Sequence, residues 1–139
     1  MLRIIRAYLL YTWGGLHRYF GNKDNLPREH ERAAHYFARA HQLHPGMVQA
    51  RLARAIILWR ELDRSDEAIA DLTALLQDDP AYAMALFNRA LAYQQAGRYA
   101  LALADLEAFL ALNRPGAYRQ TAARMQAILA ELLEESARD

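Results

Sequence analysis

Three prolines, Pro45, Pro80 and Pro115, stand 35 residues apart. Each is expected to close one helical segment and open the next, in a first turn where proline is tolerated. Asp79, directly before Pro80, reads as an N-cap. Ala33, Ala68 and Ala102 follow the same rhythm at spacings of 35 and 34. Phe37, Leu72 and Leu106 come four residues after them, and Ala40, Leu75 and Phe109 three further on. One helix face is therefore written three times. A recurrence of this length belongs to stacked supersecondary units, none of which can bury its apolar face alone.

The clearest unit is residues 85–115. Leu86, Ala90 and Tyr93 share helical spacing in its first half, as do Tyr99, Ala102, Leu106, Phe109 and Leu110 in its second. A tight turn at Gly97-Arg98 joins the two. Small residues at Ala33, Ala68, Ala90 and Ala102 let helix backbones approach. Phe37, Leu72, Tyr93 and Leu106 fill the space between hairpins.

This pattern resembles the tetratricopeptide repeat, a helix–turn–helix unit of about 34 residues. Asn88-Arg89-Ala90-Leu91-Ala92-Tyr93, then Gly97, Tyr99, Ala102 and Leu106, stand where that family places its small, aromatic and turn residues. The middle unit carries Ala55, Leu62, Ala68, Leu72 and Pro80, with Asp63-Arg64-Ser65-Asp66 in place of a glycine turn. In the first unit Trp13, Leu16 and Phe20 hold the Trp-x-x-Leu…aromatic spacing, His17 replaces the small residue, and residues 21–27 carry about four extra positions. The resemblance implies an all-α fold, an α-solenoid of three antiparallel helix pairs plus a C-terminal capping helix. The expected divisions are an apolar and basic extension over 1–9, hairpins over about 10–45, 46–80 and 81–115, and the cap over 116–139.

The same resemblance implies a concave groove lined by the first helix of each unit. In the third unit its residues would be Met84, Phe87, Asn88, Leu91 and Gln95, with Asn88 matching the asparagine that holds a ligand's backbone in peptide-binding members. In the middle unit two registers remain open: Leu52, Ala53, Ile56 and Trp59, or Ala53, Arg54, Ile57 and Arg60. These apolar residues fit a core equally well. Exposed, they would make a greasy groove suited to an amphipathic helix or apolar peptide of another protein. The family's carboxylate clamp needs paired Lys and Arg, which are not reproduced; Lys23, the only lysine, is expected in a loop.

After Pro115, Ala122, Met125, Leu129, Leu132 and Leu133 form one stripe, with Arg124, Glu131, Glu134 and Glu135 opposite. Array ends need a polar outer face, and the acidic end opposes the helix dipole, so fraying is expected from about Glu134. At the other terminus, Leu2, Ile4, Ile5, Tyr8 and Leu9 are interleaved only with Arg3 and Arg6. This arm, with Trp13, reads either as a turn folded onto the first hairpin or as a hydrophobic and basic segment that meets a membrane surface or a partner.

Bulk properties narrow the function. The 139 residues make one domain by length. Cysteine is absent, which removes disulfides, thiolate metal sites and cysteine nucleophiles. Net charge is +1, yet residues 1–64 hold 11 basic against 5 acidic residues, and residues 65–139 hold 6 against 11. A basic end could meet an acidic surface, lipid headgroups or the acidic end of another copy. The ten-residue uncharged run Ala7–Leu16 is too short to span a membrane, which takes about 20 residues, and no cleavage site follows it.

His30, His41 and His44 fall on one helix face, but His30 and His41 would stand roughly 16 Å apart along the axis. His41 and His44 alone make no metal set and suit a helix C-terminus. Glu67 and Asp71 read as a solvated like-charge pair. No phosphate loop, nucleophile elbow or catalytic triad is present, and basic residues are too dispersed for nucleic acid. The expectation is therefore a non-catalytic protein-interaction module in the cytoplasm, without cofactor or metal. The alternative is a membrane-peripheral subunit or assembly factor, and self-association remains open.

Overall fold

A computed structural model describes residues 1–138 as seven helices. They are α1 Leu2–Asp24, α2 Pro27–Leu43, α3 Val48–Arg60, α4 Ser65–Asp78, α5 Ala83–Gln95, α6 Tyr99–Ala111 and α7 Tyr118–Ser136. The chain is all-α among the described residues. Each helix packs on the next, giving the antiparallel pairs α1/α2, α3/α4 and α5/α6 with α7 against α6. The first helices α3 and α5 also touch each other, which places first helices on the inside of the curve and second helices outside.

The repeating prolines lie between pairs, though not in first helical turns. Pro45, Pro80 and Pro115 each precede the next helix by three residues, since α3, α5 and α7 start at Val48, Ala83 and Tyr118. Proline at the helix start belongs instead to Pro27 of α2. Asp79 is the C-cap of α4, and its Oδ1 accepts the Ala81 backbone N–H at 3.1 Å. It therefore makes an Asx turn, not an N-cap.

Helix ends within pairs use a left-handed residue. Gly97 has φ 73° in the α5/α6 turn, and Asp63, 34 positions earlier, has φ 54° in the α3/α4 turn. Aspartate supplies what glycine supplies in the next repeat, because its short polar side chain tolerates this region. At the far end α7 runs to Ser136, past the expected fraying point at Glu134.

The first hairpin departs from the sequence expectation. Helix α1 is one unbroken 23-residue helix, so residues 1–9 are its opening turns. Its buried positions are Ala7, Gly14 and Gly21, spaced by seven. Trp13, Leu16 and Phe20, the spacing that resembles the repeat signature, are 52%, 42% and 41% exposed. The true small residue is Gly14. A Cβ there would sit 2.7 Å from the Phe37 ring. Gly14 thus plays against Phe37 the part that Ala55 plays beside Leu72 and Ala90 beside Leu106. His17, three residues on, instead stacks on Tyr36 at 5.1 Å and bonds Glu29 at 2.5 Å. Gly21 likewise admits the His30 ring, whose Nε2 lies 2.9 Å from Asn22 Oδ1.

Adjacent glycines give a sharp test. A Cβ added at Gly15 would meet no neighbouring atom within 4 Å. Gly15→Ala should stabilise by about 0.5–1 kcal/mol through helix propensity. Gly14→Ala gains the same propensity but pushes α1 off Phe37, for a net loss of about 1–2 kcal/mol. Urea unfolding followed by circular dichroism measures both; equal effects would contradict the close approach.

Candidate functional site

The concave face is set by how α3 and α5 align. Val48 and Ala83 start these helices 35 residues apart, so Leu52, Ala53, Ile56 and Trp59 correspond to Phe87, Asn88, Leu91 and Gln94. Of the two registers left open, this is the first. Ile57 is buried in the cluster with Ala33, Ala34 and Phe37 of α2. Arg54 is committed to Asp71. Both of these side chains of the second register are thus taken up by contacts with α2 and α4.

The residues assigned to the groove fall into three groups. Leu52, Ile56, Trp59, Met84 and Leu91 are half-buried. Leu52 and Trp59 lean on the central core cluster and Leu91 on the C-terminal one, whereas Ile56 and Met84 belong to no buried cluster. Ala53, Phe87 and Asn88 are buried. Phe87 is 5% exposed and packs on Phe109 at 5.4 Å and Tyr118 at 4.9 Å, so α7 covers it. Asn88 is 4% exposed. Its Nδ2 donates to Met84 O at 2.8 Å, and its Oδ1 accepts from Trp59 Nε1 at 3.3 Å. Asn88 therefore locks α5 to α3. Gln95 is exposed, but its amide joins Ser65 and Asp63 of the α3/α4 turn.

Burial raises the Tyr82 phenol above its ordinary value, with Tyr11 of α1 and Asp79 adding to the effect. Tyr11 also packs on Phe37 at 5.4 Å. Of the N-terminal residues singled out in the sequence, Leu2, Arg3, Ile5, Arg6, Tyr8 and Trp13 are all exposed. Lys23 lies in the last turn of α1, not in a loop.

One feature escaped sequence reading. Arg54 Nη1 donates to Asp71 Oδ2 at 2.6 Å, and Arg51 Nε to Asp71 Oδ1 at 3.3 Å. Arg89 grips Asp105 with two bonds of 2.7 Å and reaches Thr73 Oγ1 at 3.2 Å. Asp71 and Asp105 are each 6% exposed, so the solvated like-charge reading of Glu67 and Asp71 is wrong for Asp71. Glu67 itself joins Arg64 at 2.6 Å. In both hairpins the arginine precedes the small residue and the aspartate precedes the large one. In the first hairpin those places hold Trp13 and Tyr36. The alternation of Arg54 and Arg89 with Asp71 and Asp105 at 35 and 34 was visible in the sequence.

Among the described residues no group of three or more His, Cys, Asp or Glu is placed to hold a metal ion. Burial, then Arg51, holds the His41 imidazole below its ordinary value, so a favourable charge at the helix end is the wrong reading for it.

No protein-family model matches the chain, and no curated protein matches it in sequence. Solved structures do. The first tetratricopeptide domain of human RPAP3 superposes with TM-score 0.78 at 18% identity over 98% of each chain. The chain also has the fold of a tetratricopeptide-repeat domain in the first such domain of Spaghetti (RPAP3) bound to HSP90 peptide SRMEEVD. There the TM-score is 0.76 at 19% identity, over 93% of this chain and 94% of that one. The second RPAP3 domain, human and in complex with HSP70 peptide SGPTIEEVD, matches at TM-score 0.71 and 20% identity over 89% and 98%. The fold is a tetratricopeptide-repeat solenoid. Within it, α1, α3 and α5 are the first helices and α7 closes the array.

Two predictions test the site's framework. Asp105→Ala leaves the largely buried Arg89 unpaired and should cost about 3 kcal/mol, the low end for such a pair because Arg89 keeps some solvent contact; chemical denaturation reads it. His41 is neutral more readily when folded. Its contribution is complete above an unfolded pKa of about 6.5 and is lost as pH falls below it, since the unfolded chain binds the proton more tightly. The urea midpoint should decline between about pH 7 and pH 5, and His41→Gln should flatten that slope.

Proposed function

We propose that this chain is a non-catalytic protein-interaction module that holds an apolar peptide or amphipathic helix of a partner against its concave face. The observation that carries this reading is the pair Ile56 and Met84. Both are half-buried apolar side chains on first helices, and neither belongs to a buried core cluster. Leu52, Trp59 and Leu91 flank them at the same face. Tetratricopeptide domains of this shape hold peptides in the similar structures with HSP90 and HSP70 peptides.

The chemistry of this face differs from what an acidic peptide requires. A terminal carboxylate is bound by fixed cations and amides. Here the one lysine is on α1, and Asn88 has spent both its polar functions on Met84 and Trp59. Apolar contact with an i, i+3, i+4, i+7 pattern is the mode that remains. Phe87 and Asn88 support the face from behind and do not touch the ligand.

Affinity capture from the native host tests the proposal. Ile56→Arg with Met84→Arg should abolish capture of a specific protein with helicity unchanged; undiminished capture rejects the face. Titration with SRMEEVD should give a Kd weaker than about 1 mM, and micromolar binding would mean that the face is ionic after all.

A further inference from the structure

The inner helices show what α1 lacks. Counted from the small residue of each first helix, the positions five before and two after form one seam. On α3 they are Ala50 and Ile57, buried with Ala40 and with Phe37 of α2. On α5 they are Ala85 and Ala92, buried with Leu72 and Leu76 of α4. On α1 they are Leu9 and Leu16, 57% and 42% exposed. Leu2, Ile5, Trp13 and Phe20 extend the seam, all exposed. Six apolar side chains thus face outward along about 27 Å of helix.

The charge on α1 is basic up to its last residue, Asp24. Arg3, Arg6, Arg18 and Lys23 are basic, and no acid occurs before Asp24. We propose that this outer face of α1, with its basic flanks, rests in the interface of an anionic lipid membrane, helix axis parallel to the surface. The helix does not cross: no helix of the described residues is long and apolar enough. An apolar face flanked by cations such as Arg6 and Lys23, with tryptophan in the seam, is what binds the boundary of headgroups and acyl chains.

Two protein occupants fit less well. A second copy docking α1 antiparallel on α1 would bring Arg6 against Lys23 at the margins of the seam, like against like. The acidic α7 of another copy matches the charge, but its outer face sets Arg124, Glu131 and Glu135 around only two exposed large aliphatic side chains, Ile128 and Leu132. Inner seams also carry alanine where a neighbouring helix comes close, at Ala50 and Ala85; Leu9 holds that position on α1.

Flotation of the intact protein with phosphatidylcholine vesicles, with and without phosphatidylglycerol, is the experiment. The protein should float only with the anionic vesicles, and binding should fall about tenfold on raising salt from low to physiological strength. Tryptophan emission should shift to the blue, and Trp13→Phe should abolish that shift. Leu9→Glu with Leu16→Glu should reduce flotation at least about tenfold with helicity and melting unchanged, since both side chains are exposed. Absence of flotation with anionic vesicles, or equal flotation of the variant, overturns the proposal. So does a wild-type dimer in sedimentation that the variant dissolves while vesicles are ignored; the occupant is then a second copy.

Discussion

Close approach of the two helices in a hairpin is the constraint from which the architecture follows. It needs a residue with little or no side chain at one point on each first helix, opposite a large residue on the second. Gly14 meets Phe37, Ala55 sits with Leu72, and Ala90 with Leu106. Interiors are packed too densely to absorb an extra carbon at such a point. Once the hairpins are tight, each leaves one apolar face that only the next hairpin can cover. Stacking, curvature and an inner face built from first helices are consequences.

Ion pairs refine the stack. Arg54 with Asp71 and Arg89 with Asp105 tie each inner hairpin together, and Arg89 reaches Thr73 in the preceding pair. Arg64 bonds Glu31 across hairpins, and Arg98 bonds Asp66. A buried pair gives modest net stability because desolvation offsets attraction. Its geometric demand is stronger: a misregistered hairpin would leave a buried charge alone. The first hairpin has no such pair and places Trp13 and Tyr36 there, so its outer edge is apolar where inner edges are paired.

The repeat was legible because the packing that creates it recurs every 34–35 residues, and the family resemblance gave the right fold. The misreadings were local. Trp13, Leu16 and Phe20 have signature spacing, but spacing alone does not say which side of a helix meets a neighbour. Gly14 was decided by the Phe37 ring, 23 positions away. Asn88 matches a ligand-gripping position by sequence, yet Trp59 and Met84 claim its amide. Phe87 was lost to the face because α7 folds back to place Tyr118 against it.

Local chemistry wrote the helices, the turns at Asp63 and Gly97, and the number of hairpins, since each depends on residues within one or two turns of the chain. Whether a given apolar side chain is core, inner face or outer edge is a different kind of fact. Leu9, Ala50 and Ala85 occupy equivalent positions on successive first helices, and two are buried only because another hairpin precedes them. That depends on where a unit stands in the stack, and only the assembled tertiary structure contains it.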